Sequence, residues 1–275
     1  MMQQLLLKEI KRKKSFLCVG LDVDKDQIPL DLNDEPDIIF NFCRRIIIAT
    51  APYCVAYKPN IAFFEAYGLE GWKSLEKVMG FLNKEYPEIF TIADAKRSDI
   101  GNTSKRYAKA FFEYLDFDSV TIAPYMGKDS VEPFLEYKGK YAILLILTSN
   151  EGASDFQLLN ADGKPLYERV IEQSKKWKNA DRLMYVVGAT RSKTLKKIRK
   201  LIPDSTLLIP GVGAQGGSLE EVSVNGLNDN CGLLVNSSRG IIYASKGSDF
   251  DLVAANVAKD LQKQMAFYLD KKGVL

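Results

Sequence analysis

The sequence predicts an α/β protein, a (β/α)8 TIM barrel in which residues 1–275 form a single domain. Three observations predict it. Eight short, β-rich apolar runs alternate with longer segments of helical periodicity, which is the rhythm of strand–helix units. Polar residues collect at the carboxyl end of run after run, where a barrel keeps its active-site loops. No Pro-, Gly- or Ser-rich linker divides the chain. A doubly wound open sheet is the alternative, because it is built from the same alternating units.

The strands are expected at 16–22, 54–58, 89–96, 119–123, 141–148, 183–188, 206–210 and 232–236. Each is short, apolar and rich in Val, Ile, Leu or aromatic residues, as strands buried on both faces must be. Helical patterns fit 37–50, 61–85, 98–115, 131–137, 165–178, 192–201, 218–224 and 250–270. The basic run Lys8, Lys11, Arg12, Lys13 and Lys14 reads as the solvated face of a first helix, with a basic arm for polyanions as the minority reading. Two stretches, 23–36 after the first strand and 150–164 after the fifth, read as insertions in active-site loops.

Composition removes several function classes. The charge balance, 38 basic against 35 acidic residues, is only +3, too small to imply nucleic acid. No apolar stretch reaches membrane-spanning length, and the N-terminal residues lack the order of a secretory signal. Cys18, Cys43, Cys54 and Cys231 lie in apolar runs without CxxC spacing, which fits buried free thiols and a cytoplasmic protein. The chain contains no histidine. Ser-His-Asp and Cys-His catalysis, HExxH sites and most catalytic zinc sites are therefore excluded. Acid–base chemistry must come from Lys, Asp, Glu, Tyr or Cys.

The most informative segment is Asp94-Ala95-Lys96-Arg97-Ser98-Asp99-Ile100-Gly101-Asn102-Thr103. An apolar strand leads directly into acids and a lysine. Strand alternation points Asp94 and Lys96 to one side. Buried opposite charges rarely repay their desolvation, so the cluster is a site hypothesis first. Asp22 ends the first strand, Lys58 the second, Thr148-Ser149-Asn150 the fifth and Gly188 the sixth. Each has a bland reading as a cap, a surface lysine or a loop residue; their coincidence at one end of successive strands is the signal. The seventh strand ends in Gly211-Val212-Gly213-Ala214-Gln215-Gly216-Gly217, whose backbone amides suit an anion. A flexible turn explains that segment about as well. Arg239 follows the eighth strand with a permanently charged fork of donors. A phosphorylated small molecule is the expected ligand class.

Asp-x-Lys-x-x-Asp-Ile-x-x-Thr, here Asp94, Lys96, Asp99, Ile100 and Thr103, resembles the motif of the orotidine 5′-phosphate decarboxylases. The likeness extends through Gly20-Leu21-Asp22, Tyr57-Lys58-Pro59-Asn60, Leu147-Thr148-Ser149-Asn150, the 210–217 segment and Ser238-Arg239. Length and wording look like the longer bacterial subgroup, type 2. Glu151 departs from that subgroup, which usually has proline after Ser-Asn. The resemblance implies a cofactor-free, metal-free lyase that converts orotidine 5′-phosphate to UMP and carbon dioxide in pyrimidine biosynthesis. It implies a homodimer with shared sites, in which Asp99, with Thr103 nearby, serves the partner subunit. It also implies that Asp22 and Lys58 contact the ribose, Ser149 the pyrimidine, and Gln215 and Arg239 the phosphate, with Gly213 and Gly216 in the phosphate loop. No nucleic acid, membrane or metal partner is expected.

Decarboxylation would leave a carbanion at C6 of the pyrimidine, and Lys96 is the group expected to stabilise and then protonate it. Asp94 and Asp99 would keep Lys96 charged, and Lys58 completes an alternating network. Three rival readings remain open. One is a Schiff-base aldolase, against which the flanking carboxylates argue. The others are a magnesium-dependent sugar-phosphate barrel and a non-catalytic nucleotide-binding barrel.

Overall fold

The computed structural model describes residues 2–29, 32, 36–212 and 216–275, with the backbone alone at Met2, Gln3, Ser192 and Lys193. In chain order the strands are β1 (Leu17–Leu21), β2 (Ala56–Pro59), β3 (Phe90–Arg97), β4 (Ser119–Ile122), β5 (Tyr141–Leu147), β6 (Asn160–Ala161), β7 (Lys164–Pro165), β8 (Leu183–Val187), β9 (Leu207–Pro210) and β10 (Leu233–Ser237). Eight of them close into a barrel in the order β1-β10-β9-β8-β5-β4-β3-β2. Pairing is parallel between β1 and β2, β2 and β3, β4 and β5, β5 and β8, and β8 and β9. The remaining two, β6 and β7, form a small antiparallel hairpin at the end of the 150–164 insertion. All eight expected strands are therefore present, each within a residue or two of its expected ends. Every residue of β1, β2, β4 and β8 is buried, the reason their sequences lack polar alternation.

The helices are α1 (Met2–Lys13), α2 (Ile38–Thr50), α3 (Ile61–Glu65), α4 (Gly68–Glu85), α5 (Gly101–Lys109), α6 (Lys128–Leu135), α7 (Ala153–Phe156), α8 (Leu166–Ser174), α9 (Ser192–Leu201), α10 (Leu219–Gly226), α11 (Arg239–Ile242) and α12 (Phe250–Lys272). The single helix expected over 61–85 is two helices. Gly68 at φ +57° breaks it, a conformation that glycine adopts without a Cβ clash. The helix expected over 98–115 starts three residues later, at Gly101, and ends in a π turn at Ala110–Tyr114. Ser218 caps α10 as its sequence suggests, accepting a hydrogen bond from Glu221 N at 3.2 Å.

By contacts the chain forms two compact units: Met1–Ala95 with Leu115–Phe117 and Asn236–Leu275, and Lys96–Tyr114 with Asp118–Val235. In the first, α2 packs on both α4 and α12. Phe42 of α2 stacks on Tyr243 and Phe250, with ring centroids 5.7 and 5.2 Å away. Lys8, Lys11, Arg12 and Lys14 are exposed on or just after α1, as expected of a solvated basic face, and Lys13 is the exception. It is buried, and its ammonium donates to the carbonyls of Ala51 and Cys54 at 2.9 Å each. In the second unit α5 packs on α6 and α9 on α10. There Arg199 donates to five carbonyls, those of Ile202, Pro203, Ser205, Gly226 and Gly232. Cys18, Cys43, Cys54 and Cys231 are free and buried, as expected. Burial pushes the Cys231 thiol up to about 12, so it is protonated at neutral pH.

Candidate active site

In the first unit the carboxyl ends of β1, β2 and β3 bring Asp22, Lys58 and Asp94 together. Lys58 is 3% exposed, and its ammonium lies 2.6 Å from Asp94 Oδ2 and 3.9 Å from Asp22 Oδ1. An isolated parallel β-bridge between Asn60 and Asp94 fixes β3 beside the end of β2. Burial alone would lower the pKa of Lys58. The charges of Asp94 and Asp22 outweigh that effect and raise its pKa, so the group remains an ammonium. Asp22 Oδ1 and Asn236 Oδ1 are buried, with no hydrogen-bond partner among the described residues. Buried oxygens of that kind call for a donor. Arg239 begins α11 and is exposed.

In the second unit, Lys96 has φ +47°, a left-handed backbone that is rare for lysine. Its amide donates to Thr121 Oγ1 of β4 at 2.9 Å. That positive φ interrupts regular strand geometry at Lys96, where simple alternation no longer sets a side chain's direction. The Lys96 side chain is exposed. Asp99 Oδ1 accepts the Ile100 amide at 2.7 Å, and its carbonyl accepts from Ser104 Oγ at 2.7 Å, which anchors the entry to α5. Ile100 and Thr103 are exposed. Ser149 follows β5 directly beside Gly188, where a Cβ would stand only 2.2 Å from Ser149 Oγ. Gly216 has φ +81°, and Gly217 N donates to Gly211 O at 3.2 Å, so the described ends of that loop fold back together. Gly213 and Gln215 lie outside the described residues.

Sequence reading missed two groups. Gln157 Oε1 accepts from Thr148 N at 2.7 Å, and its Nε2 donates to Thr148 Oγ1 at 2.9 Å, which pins the 150–164 insertion to the end of β5. Tyr243 binds the backbone after β1. Neither carries a motif, because each is defined by what it touches. At Glu151, the departure from proline, the carbonyl accepts from both Ser154 N and Ser154 Oγ, at 3.1 and 2.8 Å.

A closed parallel barrel with a buried lysine held by two carboxylates at its strand ends defines an enzyme of the (β/α)8 class. Comparison with known proteins narrows the class. The family model described as "Orotidine 5'-phosphate decarboxylase / HUMPS family" matches residues 15–249. Orotidine 5'-phosphate decarboxylase of Christiangramia forsetii is 61% identical over 98% of this chain and 100% of that protein. The enzyme of the same name from Flavobacterium johnsoniae is 61% identical over 99% of this chain and all of its own. Among solved structures, Leishmania donovani OMP decarboxylase superposes with a TM-score of 0.81 at 35% identity, covering 97% of this chain and 100% of that one. The chain belongs to the orotidine 5′-phosphate decarboxylase family. It is a decarboxylase, and so a lyase, of pyrimidine biosynthesis.

Proposed function

We propose that this protein converts orotidine 5′-phosphate to UMP and carbon dioxide with Lys96 as its proton donor and with no cofactor or metal. The bond from C6 to the carboxylate breaks, and its electron pair remains on C6. Carbon dioxide departs, and C6 takes a proton from the Lys96 ammonium. A fixed cation beside C6 replaces the electron sink that a cofactor would supply. Asp94 and the partner subunit's Asp99 flank Lys96 in this reading. Asp22 and Lys58 hold the ribose hydroxyls, Ser149 the pyrimidine edge, and Gln215 and Arg239 the phosphate, with Gly213 and Gly216 in the loop around it. Remote phosphate binding contributes to ordering the loops over the reacting carbon.

The observation that carries this reading is the Lys58 ammonium, 3% exposed and clasped by Asp94 and Asp22 at the strand ends that precede Lys96. A structural barrel has no need of that cluster. The working enzyme is a cytoplasmic homodimer of single-domain barrels, with Asp99 and Thr103 completing the partner's site. Ile100, Tyr125 and Met126, which are 53%, 84% and 45% exposed beside the starts of α5 and α6, support an interface there. No helix among the described residues is long and apolar enough to cross a membrane.

The test is direct. Purified, metal-stripped protein should consume orotidine 5′-phosphate, followed by its absorbance, and release UMP in equal amount. UMP binding without turnover would replace the enzyme reading with a nucleotide-binding one.

A further inference from the structure

Tyr243 joins two segments of the first unit that the proposed site needs in register. Its backbone amide donates to Arg239 O at 3.1 Å and closes the single turn of α11. Its hydroxyl donates to Asp22 O at 3.1 Å and accepts from Asp24 N at 2.7 Å. The phenol thus clamps the chain on both sides of Val23, directly after β1. Its ring is held in turn by Phe42, stacked at 5.7 Å with an interplanar angle of 17°. Burial raises the phenol's pKa, so it remains a donor throughout the physiological range. Downstream, Asp24 caps the turn at Lys25–Gln27, and Tyr67 Oη accepts from Lys25 N at 2.9 Å. Val23 is buried, so the clamp sits where the chain leaves the barrel wall.

The consequence concerns Asp22. Its Oδ1 is a buried acceptor with no hydrogen-bond partner among the described residues, 3.9 Å from the Lys58 ammonium. A carboxylate whose value lies in where its free oxygen points depends on the backbone that carries it. We infer that Tyr243 is a positioning residue that fixes Asp22 for recognition of the ribose hydroxyls, and so sets the preference for ribonucleotide over deoxyribonucleotide. The inference rests on the assignment of Asp22 to the ribose made above.

The experiment measures the affinity of the full-length protein for UMP, 2′-deoxyuridine 5′-phosphate and 3′-deoxyuridine 5′-phosphate by titration calorimetry. Asp22→Ala should abolish the preference of the wild-type protein for UMP over at least one deoxy analogue. Tyr243→Phe keeps the ring and its stack and removes only the hydroxyl. It should cut the same preference about five-fold, the weight of one hydrogen bond, while affinity for that deoxy analogue stays within about two-fold. Tyr243→His keeps a ring on Phe42 with a shorter reach, and should give the same loss should the Phe variant fold poorly. Equal weakening of UMP and its analogues would make Tyr243 a general scaffold residue and overturn the inference. An unchanged preference in Tyr243→Phe, with the preference lost in Asp22→Ala, would overturn it too and leave the ribose assignment standing. An unchanged preference in Asp22→Ala would remove the ribose assignment and the inference together.

Discussion

Lys96 holds a backbone conformation that a lysine adopts only where its surroundings impose it. At φ +47° its Cβ is crowded against the backbone, a strain of about 1 kcal/mol for a residue with a side chain. The neighbouring strand imposes it within the second unit. Thr121 Oγ1 accepts the Lys96 amide, and Ala123 N donates to Arg97 O at 3.1 Å. Strain of this kind gathers at functional positions because selection there acts on where a group points. Lys58 shows the opposite economy: its backbone is ordinary strand, and its constraint is electrostatic. The difference yields a test. Lys96→Gly should be more stable than Lys96→Ala by about 1 kcal/mol in denaturant unfolding, since glycine relieves the left-handed strain. Both variants should lack decarboxylation. Equal stabilities would show that the angle carries no strain, and turnover in either would remove Lys96 as proton donor.

At the scale of elements, the strands were legible because each is a short apolar run buried on both faces, and the limits of β4 and β9 could be read almost to the residue. Helix limits were less legible. The break at Gly68 needs a positive φ that periodicity does not register. Lys13 was misread because its partners, Ala51 O and Cys54 O, are 38 and 41 residues away. The same blindness hid Arg199, which looks like any basic residue in the last turn of α9. It ties the end of that helix to the loop before β9, to the end of α10 and to Gly232 ahead of β10. Burial lowers its pKa to about 10, which still leaves it cationic at neutral pH. Removing the guanidinium strands several buried carbonyls at once. Arg199→Met should therefore destabilise the protein by about 3 kcal/mol, and its melting temperature should fall by about 6–12 °C. Arg199→Lys should recover only part, because an ammonium has three donors where the fork has five. A melting temperature within 2 °C of wild type in Arg199→Met would refute this account of α9.

For the molecule as a whole, the legible part of the site was what a motif or a strand end marks, as with Asp22 and Lys58. Asp94, Lys96 and Asp99 announce themselves within six positions, whereas Tyr243 meets Asp22 across 221 residues and gave no signal. Asp99 tests the largest claim, that two chains build one site. Its carboxylate and carbonyl anchor the start of α5, beside the exposed Ile100 and Thr103. That placement suits a side chain offered to a second copy. On the proposed dimer, an Asp99→Ala subunit retains its own Lys96, and a Lys96→Ala subunit retains its own Asp99. Each homodimer lacks one group in both sites and should be nearly inactive. A heterodimer places both losses in one site and leaves the other complete. Mixing the two inactive proteins under conditions of subunit exchange should then restore about a quarter of wild-type activity, since random pairing makes half the dimers mixed and each carries one intact site. Native mass spectrometry establishes that mixed dimers form. With mixed dimers present and no activity regained, Asp99 would belong to its own subunit's site, and the dimer would be dispensable for the chemistry.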